Sequence, residues 1–357
     1  MRRLNIIFST TRQWNPGDEF ILMGCINILK KITDFNPIIY NKHPQIRYVI
    51  GWKRKFLNKV FRSLFRIPLF SPFLDNSIKP SSSGKAIDLV VFAGSPAWYG
   101  EPSRDLFQFI LKYKVPTVFL GIGTGEVLDL NSFKDYEKEV FKNADLILTR
   151  DNKTGNLLGQ YNALHKPCPA IFSSKTMRKV DGVKKIGLIY ATHKSPKDNR
   201  VSEEISSYIQ GFYMRLVNEF SDIQFEMVCH YIDELECVTE EFPDHTIHYS
   251  YDSADYIDIY NQYDFVIGTR VHGLGLSASL GIPGIMISHD LRSETVKGFL
   301  SVIMDSNIPI EENLKSAKQA IDQAEEQSTL LAKHKSETEK FYLEKLRAVN
   351  VLKLRNS

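Results

Sequence analysis

Phe265-Val266-Ile267-Gly268-Thr269-Arg270-Val271-His272-Gly273 opens as a short apolar, β-branched run and closes in a turn framed by Gly268 and Gly273. The run reads as a buried strand, and the small residues of 274–281, followed by Ile282-Pro283, read as a helix returning to the sheet. Arg270 and His272 therefore stand, with Gly273 beside them, where strand becomes helix. Open α/β sheets bind their ligands at that carboxyl edge. Arg270 suits an anion gripped through two parallel hydrogen bonds, and the free N–H groups of a helix start add a fixed positive potential. His272 can exchange a proton near neutral pH. The plain alternative is an arginine and a histidine that only satisfy loop carbonyls.

Outward from this stretch the same grammar repeats. In the second half, residues 186–190, 224–229, 246–249, 265–268 and 284–287 read as strands, with helices over 203–220, 253–263 and 274–281. In the first half, 4–8, 37–40, 89–92, 117–121 and 146–149 read as strands, and 20–32 as a helix that Asp18 can cap. The polar, basic stretch 175–185 interrupts the pattern. The expected chain is α/β: two tandem Rossmann-like domains facing a cleft, a GT-B-like architecture, with a C-terminal helical stretch. Boundaries fall at 1–178, 183–310 and 311–357. The Glu/Lys/Ala/Leu-rich 311–349 either packs across the domains or forms a solvated tail.

At 357 residues, a chain of about two domains is expected from length alone. A composition of 43% hydrophobic and 24% charged residues excludes collagen-like, disordered and disulfide-scaffold classes. A net charge of +3 is too small to make nucleic acid the default partner. Four cysteines without C-x-x-C spacing suggest neither a zinc knuckle nor a redox pair, and fit reduced thiols in a cytosol. The apolar run at 4–8 is too short for a signal peptide, and no apolar window is long enough to span a bilayer. The expected location is cytoplasmic.

Between residues 38 and 74 there are eight Lys or Arg and no Asp or Glu. At its centre, 53–66, a helical projection puts Phe56, Leu57, Val60, Phe61, Leu64 and Phe65 on one face and Lys55, Lys59, Arg62 and Arg66 elsewhere. Such a segment either lies in a membrane interface, giving peripheral contact at the inner face, or packs on a core with its cations in water.

Other strand ends carry further candidates. His289 and Arg292, in Ser288-His289-Asp290-Leu291-Arg292-Ser293-Glu294, reach the edge that holds Arg270, although capping by Asp290 or Ser293 accounts for part of this string. His193 and His230 also follow strands, but no metal-ligand spacing appears, so no metal is expected. In the first half, loops 10–18, 93–100 and 121–125 face the cleft. They contribute Asn15, Gly17, Gly94, Ser95, Gly121 and Gly123 to an acceptor side. Gly121-Ile122-Gly123-Thr124-Gly125 does not meet the dinucleotide fingerprint, and NAD and ATP are rejected as first choices. Asp18 is either a cap or an acid–base group at a helix start.

Five motifs in order, N-P-G-D-E at 15–19, F-A-G-S-P-A-W at 92–98, G-I-G-T-G at 121–125, L-T-R-D at 148–151 and G-T-R-V-H-G at 268–273, resemble the polysaccharide pyruvyl transferases. The resemblance runs from about residue 5 to 300. It implies a GT-B-like fold and transfer of a pyruvyl group from phosphoenolpyruvate to a sugar, giving a ketal and phosphate. It implies donor-site roles for Arg270 and His272, phosphoenolpyruvate as co-substrate with no cofactor, and a sugar or lipid-linked oligosaccharide acceptor for a cell-surface polysaccharide. Ala93-Gly94-Ser95 stands where the family commonly has a glycine run, a departure whose polar serine bears on the choice of acceptor and on activity itself. In this reading His272 protonates the donor and Asp18 takes a hydroxyl proton. The competing readings are a nucleotide-sugar glycosyltransferase on the same shell and a non-catalytic sugar- or phosphate-binding protein.

Overall fold

The computed structural model describes residues 2–11, 15–42, 87–94, 98–126, 128–195, 199 and 201–353. The basic segment 53–66 and Ser95 lie outside the described residues.

The first sheet holds β1 (Leu4–Thr10), β2 (Phe35–Asn41), β3 (Leu89–Ala93), β4 (Thr117–Ile122), β5 (Leu146–Thr149) and β6 (Leu164–His165), ordered β2-β1-β3-β4-β5-β6. The second holds β7 (Lys185–Ile189), β8 (Gln224–Val228), β9 (Ile247–His248), β10 (Phe265–Gly268), β11 (Gly284–Ser288) and β12 (Val302–Asp305), ordered β12-β11-β10-β7-β8-β9. All pairings are parallel. Every residue of β1, β3 and β4 is buried, because helices cover both faces and leave no room for alternation. In each sheet the order reverses once, between β1 and β3 and between β7 and β10. Parallel strands with crossover helices open a crevice at such reversals. The expected two-sheet architecture is observed. It gains β6, too short and exposed to carry a pattern, and β12, an edge strand with Val302 and Ile303 exposed.

Two helices meet at the reversals. Pro16–Lys30 leaves β1 and Val271–Ser279 leaves β10. Asn15, not Asp18, caps the first: its Oδ1 accepts from Gly17 N at 3.0 Å, and Pro16 opens the first turn. The helix starts four residues earlier than the apolar periodicity suggests, so Asp18 falls inside the first turn. Arg270 is likewise the residue preceding the second helix, which puts His272 and Gly273 in its first turn rather than in a loop.

Between these helices lies the short turn Pro169–Phe172, from the segment that joins the sheets. Glycine admits it on both sides. A Cβ at Gly24 would lie 1.8 Å from Pro169 O, and one at Gly275 would lie 2.8 Å from Ala170 Cβ. One apolar core runs from β1 through this turn into β10. Replacing Gly24 by alanine is expected to cost about 1–3 kcal/mol through overpacking. A urea midpoint equal to that of the parent would show that the turn can retreat.

The C-terminal stretch forms two helices, Ile310–Asp322 and Ala324–Arg347, broken at Gln323. The second returns across both halves. Tyr342 Oη donates to Pro167 O at 2.8 Å, Lys31 meets Glu339 at 2.7 Å, and Ser328 Oγ donates to Gly281 O at 2.7 Å. Packing across the domains, rather than a solvated tail, is what these contacts describe. No helix among the described residues is long and apolar enough to cross a membrane.

Candidate active site

The reversals face each other across a cavity of about 600 Å³. From the first half it is lined by Asn15, Gly17, Asp18, Tyr99, Glu126 and Arg150, among others; from the second by His230, Tyr231, Arg270, His272, Gly273 and Arg292. Such a volume suits a small ligand held by a few convergent polar groups.

His272 sits at the meeting point. Its Nε2 lies 3.0 Å from Arg150 Nη1, a contact between the two halves. A Cβ at Gly17 would lie 3.0 Å from His272 Nδ1, so a side chain there would crowd the ring. Burial, then the charges of Arg150, Arg292 and His230, hold the His272 imidazole well below the usual histidine range.

Arg270 does not stand free to grip an anion, as its position in the sequence suggests. Its guanidinium is 8% exposed and makes an ion pair with Glu234, which is 0% exposed. It also donates to Ser195 Oγ at 3.2 Å and to Asn199 O, and it stacks over Tyr231 at 5.0 Å from the ring centroid. Glu234 in turn accepts from Ser195 Oγ at 2.7 Å, His230 N at 2.9 Å and Tyr231 N at 3.2 Å. A buried carboxylate thus holds Arg270 in the wall of the cavity. Its Nε makes no hydrogen bond to protein.

Arg292 lines the cavity with its Nε and Nη2 on Asp290 Oδ2 at 2.9 and 2.5 Å. Asp290 also caps the helix Leu291–Phe299, accepting from Arg292 N at 2.8 Å. Burial pushes the Asp290 carboxyl up, but the hydrogen bonds and charge of Arg292 outweigh it and hold the group below its ordinary value. His289 is not among the cavity-lining residues; its Nε2 lies 3.4 Å from Asp290 Oδ2. Burial lowers its affinity for a proton.

The remaining glycines divide. Gly17 and Gly273 line the cavity, whereas Gly94, Gly121 and Gly123 stand behind it. Gly121, at φ +68°, gives room to Pro169, and Gly123 leaves space for Arg150 and Asp151, whose nearest atoms would lie 2.5 and 2.3 Å from a Cβ there. Trp98, from the 92–98 motif, is buried and donates to Gly123 O at 3.0 Å. These positions shape the first-half loops from behind rather than contacting a ligand.

Four participants escape the sequence reading: Arg150, Tyr231, Glu234 and Asn199. Arg150 lies in the quoted L-T-R-D stretch immediately after β5, so the strand-end rule used for Arg270 points to it equally. Glu234 carries no local signal, since its partner is 36 residues away. His230, whose Nε2 is 2.8 Å from Tyr260 Oη, is the hydrogen-bonded histidine that its sequence context suggests, and it also lines the cavity. Among the described residues no group of three or more His, Cys, Asp or Glu is placed to hold a metal ion.

Burial, with the charge of Arg270, lowers His230 to about 3. An unfolded chain protonates this histidine near its ordinary 6.5, so between these values the unfolded state holds more protons and stability falls as pH falls. One such group contributes a slope of about 1.4 kcal/mol per pH unit. His230→Gln should flatten the acid limb of stability against pH in urea melts. Parallel limbs would mean that the folded protein protonates this ring.

Comparison with curated proteins returned no match. Among solved structures, the UDP-GlcNAc 2-epimerase from Neisseria meningitidis bound to UDP-GlcNAc is 11% identical with a TM-score of 0.55, covering 97% of this chain and 99% of that one. The S. aureus MnaA–UDP structure is 12% identical with a TM-score of 0.54, covering 92% and 91%. The Methanocaldococcus jannaschii UDP-GlcNAc 2-epimerase in complex with UDP-GlcNAc and UDP is 12% identical with a TM-score of 0.50, covering 93% and 99%. At such identities the likeness carries the two-domain fold alone. The family model for polysaccharide pyruvyl transferase matches residues 15–290, which takes in all five motifs and all the cavity-lining residues except Thr11 and Arg292, and the chain belongs to that family.

Proposed function

We propose that the protein transfers a pyruvyl group from phosphoenolpyruvate to two hydroxyls of a sugar, on a cell-surface polysaccharide or its lipid-linked precursor, forming a cyclic ketal and releasing phosphate. The observation that carries this reading is the convergence of Arg150, Arg292 and His272 on one cavity at the start of the Val271–Ser279 helix. A donor with a phosphate and a carboxylate on three carbons needs cations from more than one direction. Here Arg150 comes from the first half and Arg292 from the second, with Val271, His272 and Gly273 of the helix start lining the same cavity. Arg270, held by Glu234, supplies a fixed positive wall rather than a mobile clamp.

The chemistry asks for a proton at the methylene carbon of the donor. His272 is the group assigned to deliver it, producing a cationic centre that the first sugar hydroxyl attacks. Asp18, across the cavity in the first turn of the Pro16–Lys30 helix, takes that hydroxyl's proton. The second hydroxyl displaces phosphate, which leaves with the remaining proton. The acceptor enters from the side of Tyr99 and Glu126, which both line the cavity and of which Glu126 is exposed. The basic, aromatic sequence of 53–66 supports an acceptor carried at an anionic membrane surface.

The test is a donor screen on the purified full chain with oligosaccharide acceptors. Phosphate release with phosphoenolpyruvate, and product heavier by one pyruvyl ketal, are expected. Turnover of a UDP-sugar instead would replace this reading with the glycosyltransferase one, which the nucleotide-bound structural neighbours make the natural competitor. Tight donor binding with no product on any acceptor would make the protein a binding module.

A further inference from the structure

The protein groups around His272 hold the proposed acid in the wrong state. A guanidinium has only N–H donors and stays charged at any pH a protein survives. Its Nη1 stands 3.0 Å from His272 Nε2, so that nitrogen must offer a lone pair, and the ring must be the neutral tautomer with its proton on Nδ1. An imidazolium there would set N–H against N–H. A neutral ring of this kind cannot protonate an enol ether carbon.

Resting on the pyruvyl-transfer reading, we infer that Arg150, besides meeting the donor, gates the proton of His272: it helps keep the buried ring neutral until the anionic donor draws the guanidinium away, and His272 then takes up the proton it delivers. The two side chains come from different halves of the molecule, Arg150 after β5 and His272 from the first turn after β10, so the donor enters between them. Arg150 is buried, and its Nε makes no hydrogen bond to protein. Burial is the first cause that disfavours a charged ring, and the charges of Arg150 from the first half, Arg292 after β11 and His230 after β8 add to it. Asp18, Glu126 and Asp290 also line the cavity, Asp290 being paired with Arg292, and an arriving anion adds to their side of the balance.

Protons balance over the cycle. One enters His272 with the donor and passes to the methylene carbon, which becomes the methyl group. The first hydroxyl loses one to Asp18 and thence to water, and the second hydroxyl's proton departs with phosphate. Arg150 then returns to a neutral ring. A gate of this kind spares the donor from hydrolysis by an acid that is always charged.

The test is calorimetry of phosphoenolpyruvate binding to the full chain at about pH 7.5 in buffers of different ionisation enthalpy, where linkage predicts uptake of about one proton per donor bound. His272→Gln should bind the donor without that uptake. Nitrogen spectra of the ¹⁵N-histidine-labelled protein, with His272 assigned through the same variant, should show an Nδ1–H tautomer when free and an imidazolium when donor-bound. In Arg150→Gln the free protein should already titrate His272 closer to the ordinary histidine range, and the acid limb of kcat should move with it. Donor binding with no change in the His272 ring overturns the gate and leaves the pyruvyl-transfer reading standing. A charged ring in the free protein does the same. Failure of phosphoenolpyruvate to bind at all overturns both.

Discussion

Glu234→Ala should be the most destabilising single change in the cavity wall, lowering stability by about 3–5 kcal/mol, the usual consequence of stranding one member of a buried ion pair. The carboxylate is 0% exposed and takes hydrogen bonds from Arg270, Ser195 and the N–H groups of His230 and Tyr231. Alanine would leave these donors facing a void, with the Arg270 charge uncompensated. The effect belongs to the pairing and not to the total charge. Exchanging both partners for apolar residues of similar volume, Glu234→Leu with Arg270→Met, should therefore recover much of the loss. Urea melts of both singles and the double would read the coupling directly. A Glu234→Ala midpoint within about 0.5 kcal/mol of the parent, the scale of ordinary surface changes, would show that water or a rearranged side chain replaces the carboxylate.

The second large effect is catalytic. His272→Gln should reduce kcat by about 10²–10⁴, the range typical of losing a positioned proton donor, while the KM for phosphoenolpyruvate changes far less. In the proposed reaction the contrast depends on the ring acting in the transition state, since Arg150 and Arg292 are untouched by the substitution. Steady-state kinetics with phosphate release as the signal would separate the two parameters. A fall in donor affinity matching the fall in turnover would reduce His272 to a binding group.

The sheets were legible because parallel strands covered on both faces leave continuous apolar runs such as 89–93 and 265–268. Edge position alone does not hide a strand, since β2 and β9 are edges and carry readable runs at 37–40 and 246–249; β6 is only two exposed residues, and β12 offers a run of only three apolar residues, Val302 to Met304. Helix starts were harder. Asp18 is a good capping residue, but Pro16 favours the first turn and moves the cap to Asn15. The positions of Arg270 and His272 followed from strand-end logic, and both line the cavity. Their partners did not follow. Glu234 and Arg150 reach them across 36 and 122 residues, distances at which local pattern carries no information about contact. An arginine read as available for a ligand proved to be committed to a carboxylate, a fact visible only once β8 and β10 are folded into one sheet.

The Pro169–Phe172 turn packs on the helix that carries Gly17 and on the helix that carries His272, and glycine admits it on both sides. It is a wedge common to both walls: bulk added at Pro169 or Ala170 presses on the two helices at once, so the spacing of Gly17 against the imidazole depends on the volume of this one turn.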